Sequence, residues 1–113
     1  MHQFSFLFSQ GGVNDGDDMW DKLISKHENI VLVMSGHDPW DHIVCTRTEG
    51  DNGNVVTQLL INPQSMDANM PYCTGMIAML YFSEDGNTVT VRYYSVMNNR
   101  YGSAQSQFTF TIE

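Results

Sequence analysis

Within the six residues His37-Asp38-Pro39-Trp40-Asp41-His42 stand two imidazoles and two carboxylates. Neutral imidazole is the commonest metal ligand among side chains, and a neighbouring carboxylate can hold its ring in one orientation. His37 is therefore a candidate metal ligand, with Asp38 or Asp41 placed to orient it. His42 falls five residues on, at the start of the next extended segment, where it can face the same pocket. Trp40 can line that pocket or serve as a core or lid aromatic. Each of these residues also has a plainer reading. His37 can be a satisfied loop histidine, and His42 a surface residue at a strand start. His2 lies near the beginning of an aromatic stretch and His27 at the end of a helical one, where a cation suits the helix dipole.

The elements that must position the cluster follow from periodicity. Ile30-Val31-Leu32-Val33-Met34 is an unbroken apolar run that stops at Ser35-Gly36. Such runs suit a strand buried on both faces, as in parallel sheets. In those sheets ligands sit where the chain leaves the carboxyl end of a strand. Gly36 would allow a sharp turn and a close approach there. Ahead of the run, Trp20, Leu23, Ile24 and His27 share one helical face, with Asp18 as N-cap and Lys22 and Lys26 toward the far end. The helix should end near Glu28-Asn29, directly before the strand.

Met1–Phe8 reads as a strand and Ser9–Gly16 as a loop. Beyond His42, His42–Thr48 and Val55–Ile61 make one hairpin around Gly50–Asn54. Met76–Phe82 and Thr88–Val96 make a second around Glu84-Asp85-Gly86-Asn87. Asn62–Thr74 and Asn98–Ser106 read as loops, and Phe108, Phe110 and Ile112 alternate in a closing strand. The fold class expected is α/β to α+β: one helix and a buried strand, then antiparallel hairpins forming a sheet of about five strands. One helix and one buried-type strand cannot cover both faces of a parallel sheet. The chain, residues 1–113 as a single partial domain, thus reads as the second half of a larger fold.

Composition narrows the partners. Net charge is −8, from 13 acidic against 5 basic residues, which argues against nucleic acid and anionic membrane surfaces. No apolar run approaches the ~18 residues of a membrane span, and no charged-then-apolar leader is expected from the opening residues. Cys45 and Cys73 form neither a CxxC pair nor a disulfide framework and read as two partly buried thiols. Asn14–Asp18 and Asp51–Asn54 lack full calcium-loop spacing and read as solvated turns. The methionines Met66, Met70, Met76 and Met79 read as soft core filling. No nucleophile elbow and no phosphate-binding glycine loop occurs, so no catalytic residue is assigned.

The string Asn29–Pro39, ending Ser35-Gly36-His37-Asp38-Pro39, resembles the last signature of the calcineurin-like metallophosphoesterases. The likeness extends through Trp20–His27, Gly53–Leu60, Met79–Gly86 and Val91–Ser95, and so covers most of the chain from Gly16 onward. What it implies is the carboxy-terminal half of a two-sheet metallophosphoesterase sandwich. His37 would then bind one of two divalent metals (Mn, Fe or Zn), and His42 or His2 would supply further imidazole. The family's Gly-His-x-His has Pro39 in its second histidine position. Its Asp-x-His, Gly-Asp-x-x-Asp and Gly-Asn-His-Asp/Glu motifs do not occur in this sequence. The implied partners are the amino-terminal half of the same domain and a phosphoester substrate. The likeness to secreted-type members implies an extracellular or periplasmic setting, while exposed apolar strands favour a homodimer. Two other readings stand beside this one. The first is a non-catalytic β-rich binding module using Trp40 and Tyr93-Tyr94 for sugar or peptide. The second is a domain in which only packing remains.

Overall fold

The computed structural model describes residues 15–36, 42–61 and 75–112. Over these the chain is a small α+β fold with one short helix and two sheets. Helix α1 (Asp15–Lys22) is followed by a 3-10 turn at Ile24–Lys26. The strands are β1 (Leu32–Ser35), β2 (Val44–Glu49), β3 (Val55–Leu60), β4 (Met76–Phe82), β5 (Thr88–Ser95), β6 (Arg100–Tyr101) and β7 (Phe108–Thr111). The first sheet runs β1-β3-β2, with β1 parallel and β2 antiparallel to β3. The second is antiparallel: β4 pairs one edge of β5, while β7 and β6 share the other edge end to end.

The strand with no exposed face is β3. From Val56 to Leu60 every residue is buried. Successive side chains of a strand point to opposite faces, so Val56 packs with Trp20 and Ile24 while Leu59 enters a core with Ile43, Val89, Val91, Tyr93 and Phe110. The first sheet is thus sandwiched between the helical segment and the second sheet. The run ending at Ser35, expected to be buried on both faces, is instead half-buried, and Met34 is exposed. The reason is position. Among the described residues β1 is an edge strand, and the hairpin strand β3 takes the centre.

Other boundaries shift for equally local reasons. The helix begins at Asp15, so Asp18 sits inside it rather than at its cap. It ends at Lys22, where the tighter 3-10 turn rotates Leu23 out to solvent. Trp20 and Ile24 remain on the buried side, and His27 Nδ1 lies 2.8 Å from the Leu23 carbonyl oxygen. The β2–β3 hairpin belongs with β1 rather than with the other hairpin, so the second sheet has four strands, not five. Asn98–Ser106, expected as loop, contains β6 and a second 3-10 turn at Ala104–Ser106. Met1–Phe8, the start of the loop after it and the whole of Asn62–Thr74 lie outside the described residues. Met76 is core, as expected, whereas Met79 is half-buried on the outer face of the second sheet. Among the described residues, no helix is long and apolar enough to cross a membrane.

The junction of β6 and β7 leaves Tyr93 opposite neither strand. Gln107 bridges the gap with its side chain: the Tyr93 N–H donates to Gln107 Oε1 at 3.3 Å, and Gln107 Nε2 donates at 3.1 Å to the Tyr93 carbonyl, which also accepts the Gly102 N–H at 2.7 Å. An amide side chain copies the donor-acceptor pair of a peptide, which is why glutamine serves here. Gln107→Ala is expected to lower stability by about 1–2 kcal/mol by leaving the Tyr93 N–H unmatched. Leu59→Ala, which empties the core from its centre, is expected to cost about 3 kcal/mol. Urea unfolding followed by tryptophan fluorescence measures both, and a smaller loss for Leu59→Ala than for Gln107→Ala would contradict this account of the core.

Candidate functional site

Because β1 and β3 are parallel, their carboxyl ends lie at the same edge of the first sheet, and the antiparallel β2 starts there. In the order β1-β3-β2, Gly36 and His42 therefore stand at that edge on either side of β3. The backbones of β1 and β3 are close there. Ile61 N–H donates to the Ser35 carbonyl at 2.8 Å, and a Cβ on Gly36 would sit 3.1 Å from the Ile61 carbonyl oxygen. A side chain at position 36 would press into that backbone, which gives the glycine its role in steric terms. On the other side of β3, Ile43 N–H donates to the buried Ser106 Oγ at 3.0 Å, fixing the start of β2 to the second sheet. His42, half-buried, stands immediately before this anchor.

Of the candidate metal-site residues named from the sequence, His42 is the one among the described residues. His37, Asp38, Trp40, Asp41 and His2 lie outside the described residues, as does Cys73. Gly36 and His42, the described residues on either side of 37–41, stand at the end of the sheet where a ligand is expected.

The helix-facing side of this sheet end carries polar residues that the sequence reading did not select. Register places Ser35, Leu60 and Val44 in the outermost row and Val33, Gln58 and Thr46 in the next. Ser35 Oγ, Thr46 Oγ1 and Gln58 Oε1 are buried without a hydrogen-bond partner among the described residues, as is Asp17 Oδ1 on α1. Asp17 precedes Trp20 by three positions and Ile24 by seven, and so shares their buried helical face. Gln58 is 1% exposed and donates through Nε2 to Thr48 Oγ1 at 3.1 Å. A buried acceptor left unmatched costs about 1–3 kcal/mol, so this end of the sheet is suited to hydrogen-bond donors. The legible signal was Gln58 itself, a polar residue within the strand Val55-Val56-Thr57-Gln58-Leu59-Leu60.

The opposite end of the sheet is tied down by capping. Asp51 N–H donates to the Ser25 carbonyl at 2.8 Å, Asn52 Nδ2 to the Lys26 carbonyl at 3.0 Å, and Asn54 Nδ2 to the Ile30 carbonyl at 3.1 Å. The Asp51 carboxylate bonds and attracts the Lys26 ammonium, raising the lysine pKa above its ordinary value. The acidic turn Asp51–Asn54 therefore works as a clasp on the end of the helical segment, not as a calcium loop.

On the side facing the second sheet, β2 overhangs. Cys45, Arg47 and Glu49 are exposed there, and Arg47 Nη2 donates to the Thr111 carbonyl at 2.7 Å, joining the two sheets at their rim. Cys45, expected to be partly buried, is an exposed residue because the second sheet does not reach over it. Packed neighbours still exclude enough water from its sulfur to push the thiol pKa up, and the Arg47 charge partly opposes that. Tyr93, read as a contact for sugar or peptide, is 2% exposed and belongs to the core. Its neighbour Tyr94 faces outward.

Among the described residues no three His, Cys, Asp or Glu side chains converge on a point that would hold a metal ion. His42 alone represents the expected ligand set there, and a single imidazole does not make a dinuclear centre. No protein-family model, curated protein or solved structure matches this chain.

The thiol carries a test of the local electrostatics. In a Cys73→Ser background, Cys45 should be alkylated by iodoacetamide more slowly at pH 7.5 than an unstructured peptide thiol, because less of it is thiolate. Its rate should keep rising at pH values where the peptide's has levelled off. Replacing Arg47 by Gln removes the opposing cation and should slow alkylation further. A Cys45 titrating below the peptide thiol would refute the assignment of desolvation as the dominant cause.

Proposed function

We propose that this chain is the carboxy-terminal part of a calcineurin-like, metal-dependent phosphoesterase and contributes imidazole to one wall of its site. The observation that supports this reading most is the position of Gly36, at the carboxyl end of β1 in the parallel pair with β3, with His42 ahead of the start of β2 at the same sheet edge. That is where the resemblance would put its metal-binding Gly-His. Two further features agree with a half-sandwich: a helix on one face of the first sheet with a second sheet on the other, and a β1 edge with no strand beyond it among the described residues. Ser35 Oγ and Gln58 Oε1, buried without a hydrogen-bond partner among the described residues, lie at the same sheet end and fit a site that other parts of a larger domain would complete.

On this reading His37 is a metal ligand, His42 or His2 a further imidazole, and Asp38 and Asp41 orient them, with Trp40 in the pocket wall. The donors present do not suffice for a dinuclear centre, since its carboxylates would come from the amino-terminal half. When bound, the metal pair would supply Lewis-acid activation of water against a phosphoester. The chain by itself therefore holds and orients, and does not hydrolyse.

Titration of the 113-residue chain with Zn²⁺ or Mn²⁺, followed through the histidine ring resonances, should show binding that His37→Ala abolishes and His42→Ala weakens. Asp38→Asn or Asp41→Asn should lower the affinity by about tenfold through loss of ring orientation. Hydrolysis of an aryl phosphate should stay at the level of the metal alone. Metal binding indifferent to both histidine substitutions would sink the assignment. So would a parent sequence lacking Asp-x-His and Gly-Asn-His-Asp/Glu ahead of this segment.

A further inference from the structure

The ladder hydrogen bonds of the second sheet tell which backbone groups of β4 face outward. Ser83 N–H donates to the Thr88 carbonyl at 2.9 Å, and Val96 N–H donates to the Gly75 carbonyl at 3.0 Å. Antiparallel ladders alternate hydrogen-bonded and non-hydrogen-bonded pairs. Between those two points, Ile77, Met79 and Tyr81 therefore turn their backbone groups to β5. Met76, Ala78, Leu80 and Phe82 turn their N–H and C=O groups to the outer edge. Among the described residues no strand pairs with that edge.

The other described edges are short or charged. β1 and β7 have four residues each and β6 has two. In the β2–β3 hairpin, Gly50 N–H donates to the Asn54 carbonyl at 2.8 Å, which sets the even-numbered residues of β2 against β3. Cys45, Arg47 and Glu49 then face out, and two charges in that row discourage pairing. β4 has neither protection. Its seven residues, Met-Ile-Ala-Met-Leu-Tyr-Phe, include no charge, proline or glycine. Ile77, Tyr81 and Phe82 are 44%, 55% and 56% exposed, the last although alternation puts it on the core side. An edge of this kind is a template for another extended chain.

We propose that β4 pairs antiparallel with β4 of a second copy of this chain, around a two-fold axis through Met79. The inference is independent of the phosphoesterase reading, since it concerns the backbone edge of the other sheet. The outward groups set the register, because donors meet acceptors only where even-numbered residues face even-numbered ones. With Met79 opposite its own counterpart, all seven residues are matched. Met76 then pairs with Phe82, Ile77 with Tyr81 and Ala78 with Leu80 across the two copies, so every row is apolar. The next allowed registers bring Tyr81 opposite Gly75 or Met76 opposite Glu84. A charged foreign strand would find no counter-charge on β4, whereas a second β4 matches it row by row. The chain's net charge of −8 does not oppose this seam. The two Glu84-Asp85 turns fall at opposite ends of the pair, about 34 Å apart at ~3.4 Å per residue, beyond the ~8 Å screening length of physiological salt. The pairing is isologous and occupies both β4 edges, so the assembly closes at two.

Sedimentation of the full chain under reducing conditions tests the proposal. A monomer–dimer equilibrium that ends at the dimer is expected at concentrations up to about 1 mM, with amide exchange at Ala78 and Leu80 slowing as the dimer forms. Met79→Lys sets two ammonium groups face to face and should weaken the dimer by about tenfold. In a Cys45→Ser, Cys73→Ser background, Met79→Cys should form a disulfide between copies on mild oxidation. Residues facing each other in a non-hydrogen-bonded pair have Cα atoms about 4.5 Å apart, within disulfide reach. Ile77→Cys should not cross-link, since its two copies would lie about 14 Å apart along the strands. An unchanged amide spectrum verifies that Met79→Lys is folded, and the cysteine variants decide the register without it. A chain that stays monomeric throughout that range overturns the proposal, as does growth beyond the dimer. Equal cross-linking through positions 77 and 79, or a dimer indifferent to Met79→Lys, overturns the pairing through β4.

Discussion

Everything described here depends on β3 having no face to give to water. Its even-numbered side chains are claimed by the helical segment and its odd-numbered ones by the second sheet. A shift of one residue in its pairing would exchange the two sets and place Gln58 in the apolar core. That constraint fixes β1 on one side and β2 on the other. It thereby sets Gly36 and the start of β2 on either side of the strand's carboxyl end. The candidate site is a consequence of burial before it is a matter of chemistry.

The element types were largely legible, because each rests on local chemistry. Asp85-Gly86 between two apolar runs marks a hairpin, and the structure confirms it in detail: Asp85 accepts from Ser83 Oγ at 2.6 Å and from the Asn87 N–H at 3.0 Å. The Ser83 hydroxyl, followed by that backbone donor, holds the carboxyl below its usual pKa. Met76–Phe82 and the Phe108/Phe110 alternation likewise needed only period-two patterning. The assignment of strands to sheets was not legible. Val31-Leu32-Val33 and Val56-Thr57-Gln58-Leu59 both look buried, and sequence gives no measure of which has neighbours on both sides. Among the described residues the more apolar run is the edge, and the run containing glutamine is the centre.

Side chains that stand in for backbone escaped the sequence for a related reason. Ser106 and Gln107 sit in a polar stretch that suggests loop and Arg47 in an expected strand, and their partners are 14 to 64 positions away. Their roles arise only when β6, β7 and β2 meet. Cys45 was misjudged because thiols are usually covered, whereas here β2 extends past the rim of the opposing sheet. The cluster His37–His42 drew attention by composition. The structure adds the two supports from which that segment hangs, a glycine pressed against Ile61 and a β2 start bonded to Ser106.

The seam at Tyr93 has a dynamic consequence. A backbone rung is released only when the strand that carries it peels away, but the Gln107 rung is released by rotation about side-chain bonds. β5 is therefore bordered along one edge by two pieces, each with its own hydrogen bonds, joined by a link that opens faster than either. Such a joint lets β6 and its turn detach as a unit of low local stability while β7 keeps the core closed. The second sheet can thus breathe at its tyrosine end without unfolding.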